Sequence, residues 1–386
     1  MSPAVSRFLD QSRWIAALLV VYGHLARLCV GDQPQVASGN VVAWLLVQAS
    51  CFGHAAVMVF FVMSGYLVGG PIWDRLTAGT FDLRIYLINR LARLYPVLFV
   101  GVSVGAFLDL LAMRYWDTGG VYTPGVGIWY PVKEAISWTI AGINLIFCQT
   151  ILGPTIGSNS PLWSLANEWW YYVLWPLIVM VVAGTDRSRK ILAGMTVVTL
   201  LVFLPRSLLI YAMVWILGAW LPKITLRPPV PAKALVVFFI VVAVLLPSFS
   251  LGERLQPWLH FGLLAHAIPD LLLAVAFSLV ILAHQRTVLS ETSVPAPVTR
   301  IHRFLADFSY SLYVIHLPVG LAVLAAMAGW LGLTLPLKPE SLSTWGFVFV
   351  LILAAYVAAL GVWFIAERHS ARLRAWLTAR LLASPS

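Results

Sequence analysis

A few polar side chains stand where an otherwise apolar chain has little use for them, and their types could do chemistry. His24 interrupts the hydrophobic run that begins at Trp14, and Asp10 and Arg13 precede that run. Asp10 and Arg13 are three residues apart, so on a helix they share a face. Arg13 and His24 are eleven apart. At about 100° per residue that returns to nearly the same face, about 16 Å further along. One stripe of one helix then carries Asp10, Arg13 and His24. An imidazole, titrating at about 6.5, is a natural general base at neutral pH. A histidine hydrogen-bonded between helices is the alternative.

Other apolar runs are broken in the same way. FFVMSGYLVGG, residues 60–70, brings Ser64 and Gly65, small residues that let helices approach closely. NRLARLYP, residues 89–96, places Arg90 and Arg93 on one helix face. Guanidinium forks suit phosphate oxygens, though such side chains also snorkel to lipid headgroups. SPLWSLANEWWYYVLWP, residues 160–176, sets Glu168 in the first turns of a helix, where the dipole favours a carboxylate, with Ser164 and Asn167 beside it. Trp163, Trp169, Trp170 and Tyr171 fit an interfacial aromatic belt, which does not explain the glutamate. FSYSLYVIHLP, residues 308–318, puts His316 mid-helix next to Pro318, with Ser309, Ser311 and Tyr313 for polar company. His316 reads equally as a packed histidine or a functional one.

The scaffold that must hold these groups follows from composition. Of the 386 residues, 61% are hydrophobic and 10% charged, against roughly 25% charged in a soluble domain. One water-soluble core could not hide so much apolar surface, so the bilayer is the expected solvent. Spans of about 20 apolar residues are expected near 12–30, 46–70, 91–112, 164–184, 190–205, 206–222, 232–249, 262–284, 307–331 and 345–366. This predicts an all-α polytopic bundle of about ten helices. With alternating spans and a cytoplasmic N-terminus, 19 of the 25 Lys and Arg fall inside and 6 outside. That bias places both termini in the cytoplasm. A further crossing at 135–152 would invert the later arginines, so that stretch is expected to be re-entrant or interfacial. The net charge of +10 is scattered between apolar runs, which points to membrane topology rather than nucleic acid. One transmembrane domain is expected over 1–370, with a short basic cytoplasmic tail over 371–386. Cys29, Cys51 and Cys148 form no CxxC pair, and no metal site or disulfide framework is readable. The first apolar run lacks a small-x-small cleavage site and reads as an uncleaved helix.

In order along the chain, these stretches resemble the acyltransferase-3 family of membrane acyltransferases. LDQSR, residues 9–13, with VVYGH ending at His24, is similar to the family's Asp-Gly-Leu-Arg element and its following histidine. Gln11-Ser12 replace Gly-Leu, and the spacing of Asp10, Arg13 and His24 is kept. GHAAVMVFFVMSGYLV (53–68) is similar to the family's FFVxSGF stretch, NRLARLYP to its RxxR motif, PLWSLANEWWYY (161–172) to WSLxxE, and SYSLYVIHLP (309–318) to SYxxYxxH.

The resemblance implies transfer of an acyl group, expected to be acetyl, from cytoplasmic acyl-CoA to a hydroxyl. It implies His24 and Glu168 as catalytic residues, and Arg13, Arg90 and Arg93 as holders of the donor phosphates. Support would come from Asp10, Ser64, Trp163, Ser164, Asn167, Tyr172, Ser311, Tyr313 and His316. Acyl-CoA enters as co-substrate, with no permanently bound cofactor and no metal. The expected partners are a carbohydrate acceptor and the lipid bilayer, not nucleic acid. The expected place is the bacterial cytoplasmic (inner) membrane, as a multi-pass protein. A cell-surface glycan such as exopolysaccharide or O-antigen is the expected acceptor. The alternatives are a small glycosylated metabolite such as a macrolide, or a transporter or flippase of a lipid-linked sugar or acyl donor. Against transport, no inverted repeat is visible.

Overall fold

The computed structural model describes residues 3–32, 35–37, 39–125, 128, 130–224, 232–248, 262–285 and 296–382. Among these the chain is an all-α, polytopic protein with no strand. A bilayer leaves backbone polar groups no water to bond, so an apolar chain satisfies them internally as helices. Seven helical stretches are long and apolar enough to cross a membrane.

The helices run in order α1 (Pro3–Val30), α2 (Val41–Ser50), α3 (Phe52–Ser64), a π-helical turn (Gly65–Gly69), α4 (Gly70–Thr77) and α5 (Leu83–Tyr115). There follow α6 (Trp138–Leu145), α7 (Leu162–Ala183), α8 (Arg187–Phe203), α9 (Arg206–Trp220) and α10 (Ala232–Ser248). The last five are α11 (Gly262–His284), α12 (Ala296–Asp307), α13 (Ser309–Leu331), α14 (Leu342–Ile365) and α15 (Ser370–Leu382). The expected short spans at 190–205, 206–222 and 232–249 correspond to α8, α9 and α10, of 17, 15 and 17 residues. The stretch 135–152 holds only the eight-residue α6, about 12 Å long, too short for a hydrocarbon core of about 30 Å. Its Asn144 and Gln149 are fully buried in local bonds. Asn144 Nδ2 donates to the Ile140 and Pro154 carbonyls, and Gln149 Nε2 to that of Leu162.

The chain forms two compact units. The first comprises 1–16, 54–87 and 167–306, the second 17–53, 88–166 and 307–386. In the first, α9 crosses the π-turn at glycine contacts. A Cβ on Gly65 would stand 2.0 Å from the Trp215 carbonyl oxygen, and one on Gly218 would stand 2.2 Å from that of Val62. This is close approach through small residues, as expected for Gly65. In the second unit α13 packs along α14. The first turn of α13 is capped from a distance: the Ser311 N–H and Oγ donate to Glu367 Oε2 at 3.0 and 2.6 Å. Ser311 therefore serves the helix end, and does not supply the polar company for His316 that its sequence neighbourhood suggests.

Candidate active site

α1 is apolar on its packed side, with Val20, Val21 and Leu25 fully buried, and it presents His24 toward α13. His24 Nδ1 lies 2.9 Å from His316 Nε2, with the rings stacked at 5.1 Å. His316 is fully buried. Its Nδ1 lies 2.8 Å from the Tyr313 carbonyl and 3.2 Å from that of Leu312. Carbonyls only accept, so His316 Nδ1 carries the proton and the Nε2 of neutral His316 is the acceptor. His24 Nδ1 must then donate to it. The tautomer of His24 follows: a proton on Nδ1 and a lone pair on Nε2.

The hydrogen-bond ladder of α13 is interrupted beside His316. Pro318 lacks an N–H, so the Val314 carbonyl loses its helical donor. Asn159 Nδ2, from the segment before α7, fills the vacancy at 2.9 Å. That segment is anchored in turn by Asp109 of α5, a fully buried carboxylate. Asp109 accepts from Ser158 N and Oγ, both at 2.7 Å, and from Tyr122 OH at 3.0 Å. Gly157 is required there, since a Cβ would stand 2.2 Å from Asp109 Oδ2 and φ is +55°. Ser164 Oγ meets Tyr313 OH at 2.5 Å, and both hydroxyls reach the Pro161 carbonyl at 3.2 Å. A chain of contacts thus runs from Ser164 through Tyr313 and His316 to His24.

A cavity of about 320 Å³ opens beside this pair. His24, Arg27, Asp32, Tyr130 and Ser160 give it polar groups, and Leu28, Ile128, Leu317 and Pro336 an apolar side. Burial pushes the Tyr130 phenol up to about 12, and Tyr122 rises further through burial beside Asp109, so both keep their protons at neutral pH. No cluster of three or more metal-ligating side chains occurs among the described residues.

Glu168 belongs to the first unit, in a network of its own. Ser64 Oγ donates to Glu168 Oε1 at 2.6 Å, and Tyr172 OH donates to the same oxygen. The buried Trp215 donates through Nε1 to Ser64 Oγ at 3.1 Å. Ser64 thus does more than let helices approach: it sits at the entry to the π-turn, a distortion that often marks functional positions. Asn167 is buried one residue earlier and Trp163 half-buried. In the same unit Asp10 and Arg13 pair at 3.8 Å. In the second unit Arg90 is half-buried and Arg93 exposed, one turn apart on α5. His54 pairs with the buried Asp270 at 3.0 Å.

Sequence reasoning missed Trp215, Asn159 and the cavity residues Arg27, Asp32, Tyr130 and Ser160. It also passed over Asp109, although a carboxylate inside an apolar run is the signal that singled out Glu168.

Comparison with known proteins bears on the whole chain. The family model of the acyltransferase domain, acyltransferase-3, matches residues 6–368. The chain is 29% identical over 182 residues to "Acyltransferase MdmB" of Streptomyces mycarofaciens, covering 46% of this chain and 40% of that protein. It is 30% identical over 156 residues to "Putative peptidoglycan O-acetyltransferase YrhL" of Bacillus subtilis, covering 39% of this chain and 23% of that one. An uncharacterized Haemophilus influenzae protein is 26% identical over 158 residues, 39% of this chain and 58% of that protein. The chain thus spans about a quarter to three-fifths of the curated relatives it matches. No solved structure matches.

Proposed function

This chain belongs to the acyltransferase-3 family, and on that premise we propose that it is a bacterial inner-membrane O-acyltransferase acting on a cell-surface glycan. The donor is acyl-CoA, with acetyl the expected group. Both termini face the cytoplasm, and the cavity beside His24 receives the acceptor from the far side.

The observation that carries the proposal is the His24–His316 pair at the edge of the cavity. A sugar hydroxyl is a poor nucleophile until a base takes its proton. His24 Nε2 accepts that proton as the oxygen attacks the thioester carbonyl carbon. The tetrahedral adduct collapses, the C–S bond breaks, and the imidazolium returns the proton to the departing thiolate. His316 holds His24 in the tautomer that leaves Nε2 free. Arg13, Arg90 and Arg93 hold donor phosphates. Glu168, fixed by Ser64 and Tyr172, orients a reactant. The name of the Bacillus subtilis relative, a putative peptidoglycan O-acetyltransferase, supports an O-acetyl group moved to a glycan.

A second reading rests on the apolar side of the cavity, Leu28, Ile128, Leu317 and Pro336, which suits a small glycoside with an apolar aglycone. The test is mass analysis of the surface glycans of a deletion strain complemented with the wild-type or the His24→Ala gene. Wild type should restore the mass of one acetyl group per modified sugar, and His24→Ala should not. Full restoration by His24→Ala at normal membrane levels would remove the catalytic assignment. A glycan unchanged by the deletion would favour the small glycoside.

A further inference from the structure

The first turns of α1 pack through Val5 and Leu9, each almost fully buried. Between them lies Arg7. Its Nε and Nη2 are enclosed and have no hydrogen-bond acceptor. A guanidinium carries five donors and no acceptor, and an enclosed charge without a counter-ion is strongly unfavourable.

Among the described residues no carboxylate of the same unit is its counter-ion, because each is engaged elsewhere. Asp10 pairs with Arg13, Asp74 with Lys223, and Asp270 with His54. Asp186 caps α8 and pairs with Arg189. Asp82 accepts from the Ile85 N–H, and Glu168 from Ser64 and Tyr172. The surroundings are basic. Arg13 lies less than two turns along α1. α12, carrying the exposed Arg300 and Arg303, docks on α1 through Trp14 Nε1 donating to His302 Nδ1 at 3.0 Å, with stacked rings. Nη1 is not among the enclosed unpartnered atoms, so the fork is open at one edge.

We infer that Arg7 binds a phosphate group of the acyl donor. Phosphate oxygens fit the fork, and the inner end of α1 is where a cytoplasmic donor would arrive. The inference rests on the acyl-CoA reading above. It adds a ligand that the motifs Asp10–Arg13 and Arg90–Arg93 do not contain.

The test measures coenzyme A binding without turnover, so it is independent of the acceptor. The thermal midpoint of the purified protein is titrated with coenzyme A in lipid-free maltoside detergent, for wild type, Arg7→Met and Arg7→Lys. Met removes the charge at similar length, and Lys keeps the charge without the fork. Without ligand, Arg7→Met should be as stable as wild type or more so, since an uncompensated charge is gone. Its coenzyme A affinity should fall about tenfold or more, with Arg7→Lys intermediate. Equal stabilisation of wild type and Arg7→Met by coenzyme A would overturn the inference. So would a ligand-free loss of stability in both variants, which would mark a structural arginine. In phosphatidylglycerol nanodiscs, a lipid-dependent stabilisation lost in Arg7→Met with coenzyme A binding intact would assign the phosphate to a lipid, overturning the donor assignment. A wild type that ignores coenzyme A would defeat the donor reading itself, whatever Arg7 does.

Discussion

Two polar clusters sit inside this apolar protein, and they are built for different ends. In the second unit His24 and His316 share one hydrogen bond, and the carbonyls of α13 dictate which nitrogen of each ring holds a proton. One lone pair is left over, beside a cavity. In the first unit Ser64, Tyr172 and Trp215 build a network that converges on a single oxygen, Glu168 Oε1. A network in which two hydroxyls donate to one carboxylate oxygen, one of them held in turn by Trp215, fixes a geometry, whereas a pair that ends in an unused base can accept a proton. Both are ionisable sites in apolar runs, and burial alone does not separate them; the direction of the hydrogen bonds does.

The sharpest way to break this contrast is to remove the base. His24→Ala should lower kcat for acyl transfer by about 10²–10⁴-fold, the usual worth of a general base, measured as free coenzyme A thiol released by purified protein with acceptor present. A loss within threefold would place the base elsewhere. His316→Gln should follow with a smaller fall in kcat, about tenfold, at unchanged donor KM, because Nε2 of His24 survives but its tautomer is no longer imposed. A rise in donor KM with normal kcat would make His316 a binding residue instead.

Next in size come the anchors. Asp109→Asn replaces an anion that accepts three bonds by a group that must also donate, at a cost of about 1–3 kcal/mol. Limited proteolysis should then cut more readily within 116–161, and unchanged resistance would show that Asp109 does not hold that segment. The smallest effect is expected from Trp215→Phe. It removes the Nε1 donor from Ser64 but leaves Glu168 its two hydroxyl partners. A stability loss of about 1 kcal/mol with acyl transfer nearly intact is the expected outcome. A collapse in kcat with the fold retained would show that the orienting role of Glu168 depends on the Trp215 donor.

Much of this was legible in the sequence. His24, Glu168 and His316 stand out because ionisable groups in apolar runs are rare, and α1, α5, α7, α13 and α14 follow from run length. Their partners were not legible. Asp109 bonds Ser158 across 49 residues, and Asn159 serves a carbonyl that Pro318 frees 155 residues away. Such pairings exist only once helices are placed. Arg27 reads as a charge on the outer side, yet it lines the cavity with His24. Trp215 looks like any tryptophan in a membrane helix until Gly65 and Gly218 bring α9 against the π-turn.

The central claim is that His316 sets the tautomer of His24. ¹⁵N-histidine spectra of the protein in nanodiscs at neutral pH, assigned with the His24→Ala variant, report it directly. His24 should show a protonated Nδ1 and a bare Nε2, and His316→Gln should mix the two tautomers. A wild-type His24 with its proton on Nε2 would contradict the account.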